Sequence, residues 1–139
     1  MRKLIAGLVV LLSSYAHAGT LTYSDDIEIL AVNGVRADKV DAVQLRPGKN
    51  IIQIRYAEIF GDEYSDSVSW YRSKPAFVSF DVESGDIYHL DVPQYISRED
   101  AEQFDIEPDV SLTKVDGDKK EVNVVSVVEL VNTIYLSLI

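Results

Sequence analysis

The chain has 139 residues, 47% apolar and 26% charged, a balance that fits one folded domain and excludes a disordered tail. It holds no cysteine and only two histidines, His17 and His89, which removes disulfide scaffolds and thiol nucleophiles and leaves too few imidazoles for a multi-histidine metal centre. The formal net charge of −10 argues against nucleic acid and anionic membrane surfaces as partners.

In chain order, the first signal is an address. Arg2 and Lys3 precede an apolar run over residues 4–12, followed by small residues ending Ala16-His17-Ala18. The run is too short to span a bilayer, which takes about 20 residues. The pattern predicts a secretory signal peptide cleaved after Ala18 and a periplasmic destination. Removal of residues 1–18 leaves 11 basic against 23 acidic side chains, a formal net charge of −12. With no linker and no repeat in the remainder, residues 19–139 are expected to form a single β-rich domain, stabilised by its core and ladders alone.

Strand signals dominate that domain. Residues 21–23 are β-prone, and residues 27–32 alternate up to Asn33-Gly34, a dipeptide that favours a hairpin because both residues tolerate positive φ. Residues 42–46 predict a short strand, and Pro47-Gly48-Lys49-Asn50 a turn. Residues 50–60 form the longest strand candidate, with Ile52, Ile54 and Tyr56 inward. A loop is expected over residues 61–67. Residues 76–82 place Ala76, Val78, Phe80 and Val82 on one face. A turn at Glu83-Ser84-Gly85-Asp86 predicts a partner strand over residues 87–92, with Tyr88, Leu90 and Val92 inward. Pro93 ends that ladder.

Ser97, followed by Glu99 and Asp100, predicts the start of one short helix running to about Phe104. Residues 110–115 and 121–125 predict a further hairpin about Asp116-Gly117-Asp118-Lys119. Residues 124–139 carry one charge, Glu129, and two tendencies. Their apolar spacing suits a helical face, while their β-branched residues suit a strand. The apolar content predicts a last core element, the alternative being a segment that docks on a partner. The whole pattern predicts an all-β fold, an antiparallel sandwich or partly open barrel with one short helix.

No catalytic signature emerges. His89 shares a polar strand face with Asp91, but no G-x-S-x-G elbow is present, so a solvated histidine is expected and the chain is expected not to be an enzyme. Asp116-Gly117-Asp118 lacks the sixth-position glycine and twelfth-position glutamate of an EF-hand, and Pro47-Gly48-Lys49 is not a phosphate loop. The acidic residues between Glu99 and Asp109 suit a solvated face. No cofactor and no metal are expected. Tyr64, Trp70 and Tyr71 stand out as candidate partner-binding residues, since aromatics around a loop can anchor a protein or stack on a sugar. Packing over a sheet edge is the plainer role for them.

Four stretches carry a family resemblance: TLTYSDDIEILAVNGVRAD at 20–38, LRPGKNIIQIRY at 45–56, SKPAFVSFDVESGDIYHLDVP at 73–93 and EDAEQFDIEPDVSLTKVDGD at 99–118. Together they resemble the YccT-like family of small secreted proteins of Gram-negative bacteria. The resemblance implies an envelope protein of a mostly uncharacterised group, one member of which is named as an inhibitor of curli assembly. It also implies a chain that commonly continues for several tens of residues beyond this one. On that basis the expected function is non-enzymatic binding that modulates the assembly of curli amyloid subunits, a protein partner. A structural or glycan-binding envelope module is the alternative.

Overall fold

The computed structural model describes residues 19–37, 42–62 and 65–139, and the signal-peptide reading of residues 1–18 lies outside the described residues. The strands are β1 (Gly19–Tyr23), β2 (Ile27–Val32), β3 (Val35–Arg36), β4 (Val43–Leu45), β5 (Gly48–Asp62), β6 (Ser65–Arg72), β7 (Ala76–Val82), β8 (Asp86–Asp91), β9 (Ser111–Lys114), β10 (Lys119–Lys120) and β11 (Asn123–Ser126). The helices are α1 (Arg98–Ala101), α2 (Gln103–Ile106) and α3 (Val127–Ser137).

The strands form two sheets, β10-β9-β8-β1-β4 and β11-β7-β5-β2-β3, with β6 added to the far half of β5. The sheets face each other across one hydrophobic cluster, the arrangement of an all-β sandwich. The first sheet contributes Leu21, Leu45, Tyr88, Leu90 and Leu112, and the second Ile52, Ile54, Val78 and Phe80, all nearly or fully buried. Phe80 and Tyr88 meet across the interface with ring centroids 5.6 Å apart. The strict alternation of residues 76–82 therefore buries the face expected of it, as do Ile52, Ile54 and Tyr56 on β5.

The Asn33-Gly34 hairpin forms as the sequence suggests, with φ of 49° and 81° at its two residues. The expected turn at Pro47-Gly48-Lys49-Asn50 is shorter than its sequence, because Gly48 takes φ 82° and β5 begins there, opposite Val82. Asn50 makes this possible. Its side chain is fully buried, its Nδ2 donates to the carbonyls of Arg46 (2.8 Å) and Gly48 (3.0 Å), and its Oδ1 accepts from the Arg46 amide (3.1 Å). Asn33 Nδ2 also donates to Asn50 Oδ1 (3.0 Å), so one amide group ties the turn to the neighbouring hairpin. A buried amide with all its hydrogen bonds made holds a bend without leaving orphan polar groups.

Four expectations about pairing need correction. Residues 87–92 are not the hairpin partner of residues 76–82. The edges of β7 are taken by β5 and β11 and those of β8 by β1 and β9, so the Glu83–Asp86 turn crosses between sheets. The sandwich is also not wholly antiparallel, since β1 runs parallel to β8 from Gly19↔Asp86 to Tyr23↔Leu90. A Cβ at Gly19 would lie 2.8 Å from the Asp86 carbonyl oxygen, which is why glycine opens that pair. The turn at Asp116-Gly117 closes a hairpin, but only β10 returns beside β9, and β11 crosses to pair with β7. The loop expected over residues 61–67 is the end of a long ribbon: β5 runs on to Asp62 and β6 begins at Ser65.

The single short helix is two four-residue turns, α1 and α2. Ser97 caps the first as expected, its Oγ accepting from the Asp100 amide at 3.2 Å. Ala101 and Phe104 plug the end of the sandwich beside Tyr56. Residues 124–139 are neither one core element nor one strand. Val124 and Val125 lie in β11, then Ser126 caps α3 through its Oγ and the Glu129 amide (3.1 Å). No residue of α3 is buried, so the expectation of a last core element holds only for the β11 part.

Candidate functional site

The long strand β5 leads from the core out of it. Its first half lies between β7 and β2, and both of those pairings end by Tyr56. From Ala57 onward it pairs only with β6 among the described residues, from Ala57↔Arg72 through Ile59↔Trp70 and Gly61↔Val68. The result is a two-stranded ribbon, one face of which packs on the core through Phe60 and Tyr71. Residues directly opposite one another share a face. Ile59, Val68 and Trp70 therefore lie together on one side, and all three are exposed, Trp70 by 55%. Gly61 has no side chain, so Val68 lies over bare backbone there.

The same register fixes the backbone. The Ala57 amide donates outward to the Asp26 carbonyl (2.8 Å), so by antiparallel alternation the amides and carbonyls of Ile59, Gly61, Val68 and Trp70 also point out of the ribbon. The Ile59 amide is taken by the Glu58 side chain (2.9 Å), which blunts the β5 edge. Trp70 is held from below. The Arg72 guanidinium sits 5.0 Å from its ring centroid, and Arg72 with Arg55 grips Glu28, at 3.5 and 2.6 Å. An indole fixed by a cation over its face is a pre-ordered contact surface.

Of the three aromatic residues singled out in the sequence, the structure does not make one cluster. Tyr64 lies outside the described residues. Trp70 faces solvent, while its neighbour Tyr71 points to the opposite face and is buried, as strand alternation requires. The Tyr71 hydroxyl donates to Asp105 Oδ2 (2.6 Å), and Asp105 Oδ1 accepts from the Lys74 amide (2.5 Å). Burial first, then the bond to the Asp105 carboxylate, pushes the Tyr71 phenol well above its ordinary range. Tyr71 is thus a latch between β6 and α2, and one residue of the acidic run has a structural task.

His89 is exposed on the outer face of the first sheet, its Nδ1 2.8 Å from Thr22 Oγ1. Asp116 Oδ1 accepts from the Asp118 amide (3.0 Å) within an ordinary hairpin turn. Among the described residues, no group of three or more histidine, cysteine or acidic side chains is arranged to hold a metal. No helix of the described residues is long and apolar enough to cross a membrane.

A second feature was not signalled by the sequence. On the other edge of the ribbon, β5 faces residues 91–96 across a groove of about 540 Å³. Its walls include Asp26, Glu58 and Asp91, with Tyr56 and Tyr95 packed edge to face at 5.1 Å. Burial first, then the fields of Asp26, Glu58 and Tyr95, pushes the Tyr56 phenol up to about 12. The Tyr95 phenol is raised by burial and by Asp109 and Asp26. The residues concerned come from three segments far apart in the chain, so no local motif marks them.

A family model described as an uncharacterized protein conserved in bacteria (DUF2057) matches residues 20–134. A UPF0319 protein of Shewanella baltica is 32% identical over 125 residues, covering 86% of this chain and 54% of that protein. A UPF0319 protein of Shewanella oneidensis is 30% identical with the same coverage. The chain spans about half the length of the curated relatives it matches. No solved structure matches it significantly.

Proposed function

The chain belongs to the DUF2057 family of conserved bacterial proteins, and from that membership and the geometry of its ribbon we propose a non-enzymatic, exported protein that binds other chains through β6. The observation that carries the reading is the outer side of β6. There Val68 and Trp70 present outward backbone groups beside an exposed apolar face, in a chain otherwise strongly acidic. A strand edge with an adjacent apolar face suits β-augmentation, in which main-chain hydrogen bonds give affinity and side chains give selection. The partner we propose is a polymerising curli subunit, in line with the YccT-like resemblance of the sequence. Pairing with β6 places a capped strand at the growing cross-β end, and the acidic body behind it discourages further addition. The export reading rests on the basic residues, apolar run and small residues of positions 1–18.

A second reading has its own observation: an exposed indole on a fixed platform also suits stacking on a sugar ring. Because Trp70 is the only tryptophan, one label separates the two. In protein carrying 5-fluorotryptophan, the single ¹⁹F resonance should shift on addition of curli subunit and stay in place with cell-wall or capsular oligosaccharides. A shift with oligosaccharide alone would replace the amyloid reading by the glycan reading.

A further inference from the structure

We propose that the groove between β5 and residues 91–96 is a binding site for an alkylammonium group, formed by the carboxylates of Asp26, Glu58 and Asp91 and the hydroxyl and ring faces of Tyr56 and Tyr95. This site lies on the opposite edge of the ribbon from the surface of β6 and does not depend on the function proposed for that surface.

Three observations converge. The first is charge without compensation. No lysine, arginine or histidine of the described residues lines the groove, and none of its three carboxylates takes part in an ion pair of the described residues, whose acidic partners are Glu28, Asp86 and Glu102. Their hydrogen bonds are short-range and leave acceptor capacity open: Asp26 accepts from the Ser24 hydroxyl (2.7 Å), Glu58 from the Ile59 amide and Asp91 from the Val92 amide (3.0 Å).

The second is the Tyr56 hydroxyl. Tyr56 is 1% exposed, yet its hydroxyl makes no hydrogen bond to any described residue. No side-chain oxygen sealed from solvent lacks a partner among the described residues. The hydroxyl therefore opens to the groove that the residue lines, as a polar group with no partner among the described residues on an otherwise buried side chain. The negative potential of Asp26 and Glu58, with Tyr95 beside them, reaches it.

The third is shape. The carboxylates are spread along the walls rather than converging, and they make no chelating set, so a compact metal ion is poorly matched. A ligand with an apolar stem and N–H donors at its end is well matched. The stem packs on Tyr95 and Phe60, while the ammonium donates to carboxylate and phenol oxygens. A free diamine and a lysine side chain on a partner both offer this chemistry.

The test uses amide chemical shifts of the folded protein, titrated separately with 1,4-diaminobutane and with N-acetyl-lysine methylamide. Saturable shifts confined to residues 24–26, 56–61 and 91–96 are expected, half-saturating at about 0.1–1 mM for the source that fits. The arm with the tighter response identifies that source. Glu58→Gln keeps the bond to the Ile59 amide and should weaken binding about fivefold or more. Tyr56→Phe removes only the hydroxyl and should weaken it about threefold or more. Glu99→Gln, on α1, removes the same charge elsewhere and should change nothing. Shifts spread over the acidic surface, equal losses in Glu58→Gln and Glu99→Gln, or an equal response to magnesium chloride would each overturn the site. Unchanged amide spectra of the variants without ligand exclude misfolding as the cause.

Discussion

Phe80→Ala is expected to cost about 3–5 kcal/mol of stability, a large share of what holds a domain of this size together. Phe80 is 4% exposed on the inner face of β7 and meets Tyr88 of the opposite sheet, so truncation opens a cavity between the layers rather than within one. Each sheet is stiffened by its own ladder, which limits how far the layers can close on the gap. Ser79→Ala, one residue along and on the outer face, should cost within about 0.5 kcal/mol. Urea unfolding of the two variants checks this. Equal midpoints would mean that the face assignment of β7 is wrong.

High pH is expected to unfold the protein steeply between about pH 10 and 12. Tyr56, Tyr71, Tyr88 and Tyr95 all have phenols raised above the ordinary value, burial being the first cause in each. In the unfolded chain they lose their protons near pH 10, while the folded chain still holds them. The unfolded state then binds fewer protons, so stability is fully present below pH 10 and falls as pH rises toward the folded values. For Tyr56, whose folded value is about 12, the loss spans that window and continues above it. Lys114, held protonated by Asp86 at 3.4 Å, acts in the same direction. Tyr56→Phe isolates one contribution, because its hydroxyl bonds to no described residue. Its midpoint at pH 7 should stay near that of the parent, and its loss of stability between pH 10 and 12 should be smaller than the parent's. Identical pH profiles for the two proteins would contradict the placement of the phenol.

The sequence carried the faces of the strands better than their neighbours. Alternation in residues 76–82 and 88–92 reports which side chains go inward, and burial obeys it at Val78, Phe80, Tyr88 and Leu90. It contains nothing about which strand lies alongside, and so a four-residue connection that reads as a hairpin turn is instead a crossing between sheets. The parallel pairing of β1 with β8 joins residues 67 positions apart, a distance no local pattern spans. The ribbon was hidden for a different reason. Its outer face carries the apolar Ile59, Val68 and Trp70 opposite the core-facing Phe60 and Tyr71, so apolar and polar residues do not alternate, and Gly61, Asp62 and Asp66 read as loop. The cap of α3 was visible as Ser126 with Glu129 three residues on, a pattern that outweighs the β-branched composition after it.

The candidate surface was legible in one residue. Trp70 is an aromatic on the solvent face, but Tyr71 beside it belongs to the core because adjacent strand residues point oppositely. The groove was not legible at all, since Asp26, Glu58, Asp91 and Tyr95 are brought together only by the ribbon passing the ends of β1 and β8.

The central claim is that the outer edge of β6 caps a growing amyloid end, and a thioflavin time course of curli-subunit polymerisation tests it most directly. The chain without residues 1–18 should lengthen the lag well below equimolar ratio, because ends and early oligomers are far scarcer than monomers. Val68→Pro, which removes an outward amide and no hydrogen bond of the ribbon, should abolish the delay. Raising salt from about 10 mM to 1 M, which shortens the Debye length from roughly 30 to 3 Å, should leave most of it in place if backbone pairing dominates. No delay at equimolar protein in either salt would contradict the claim.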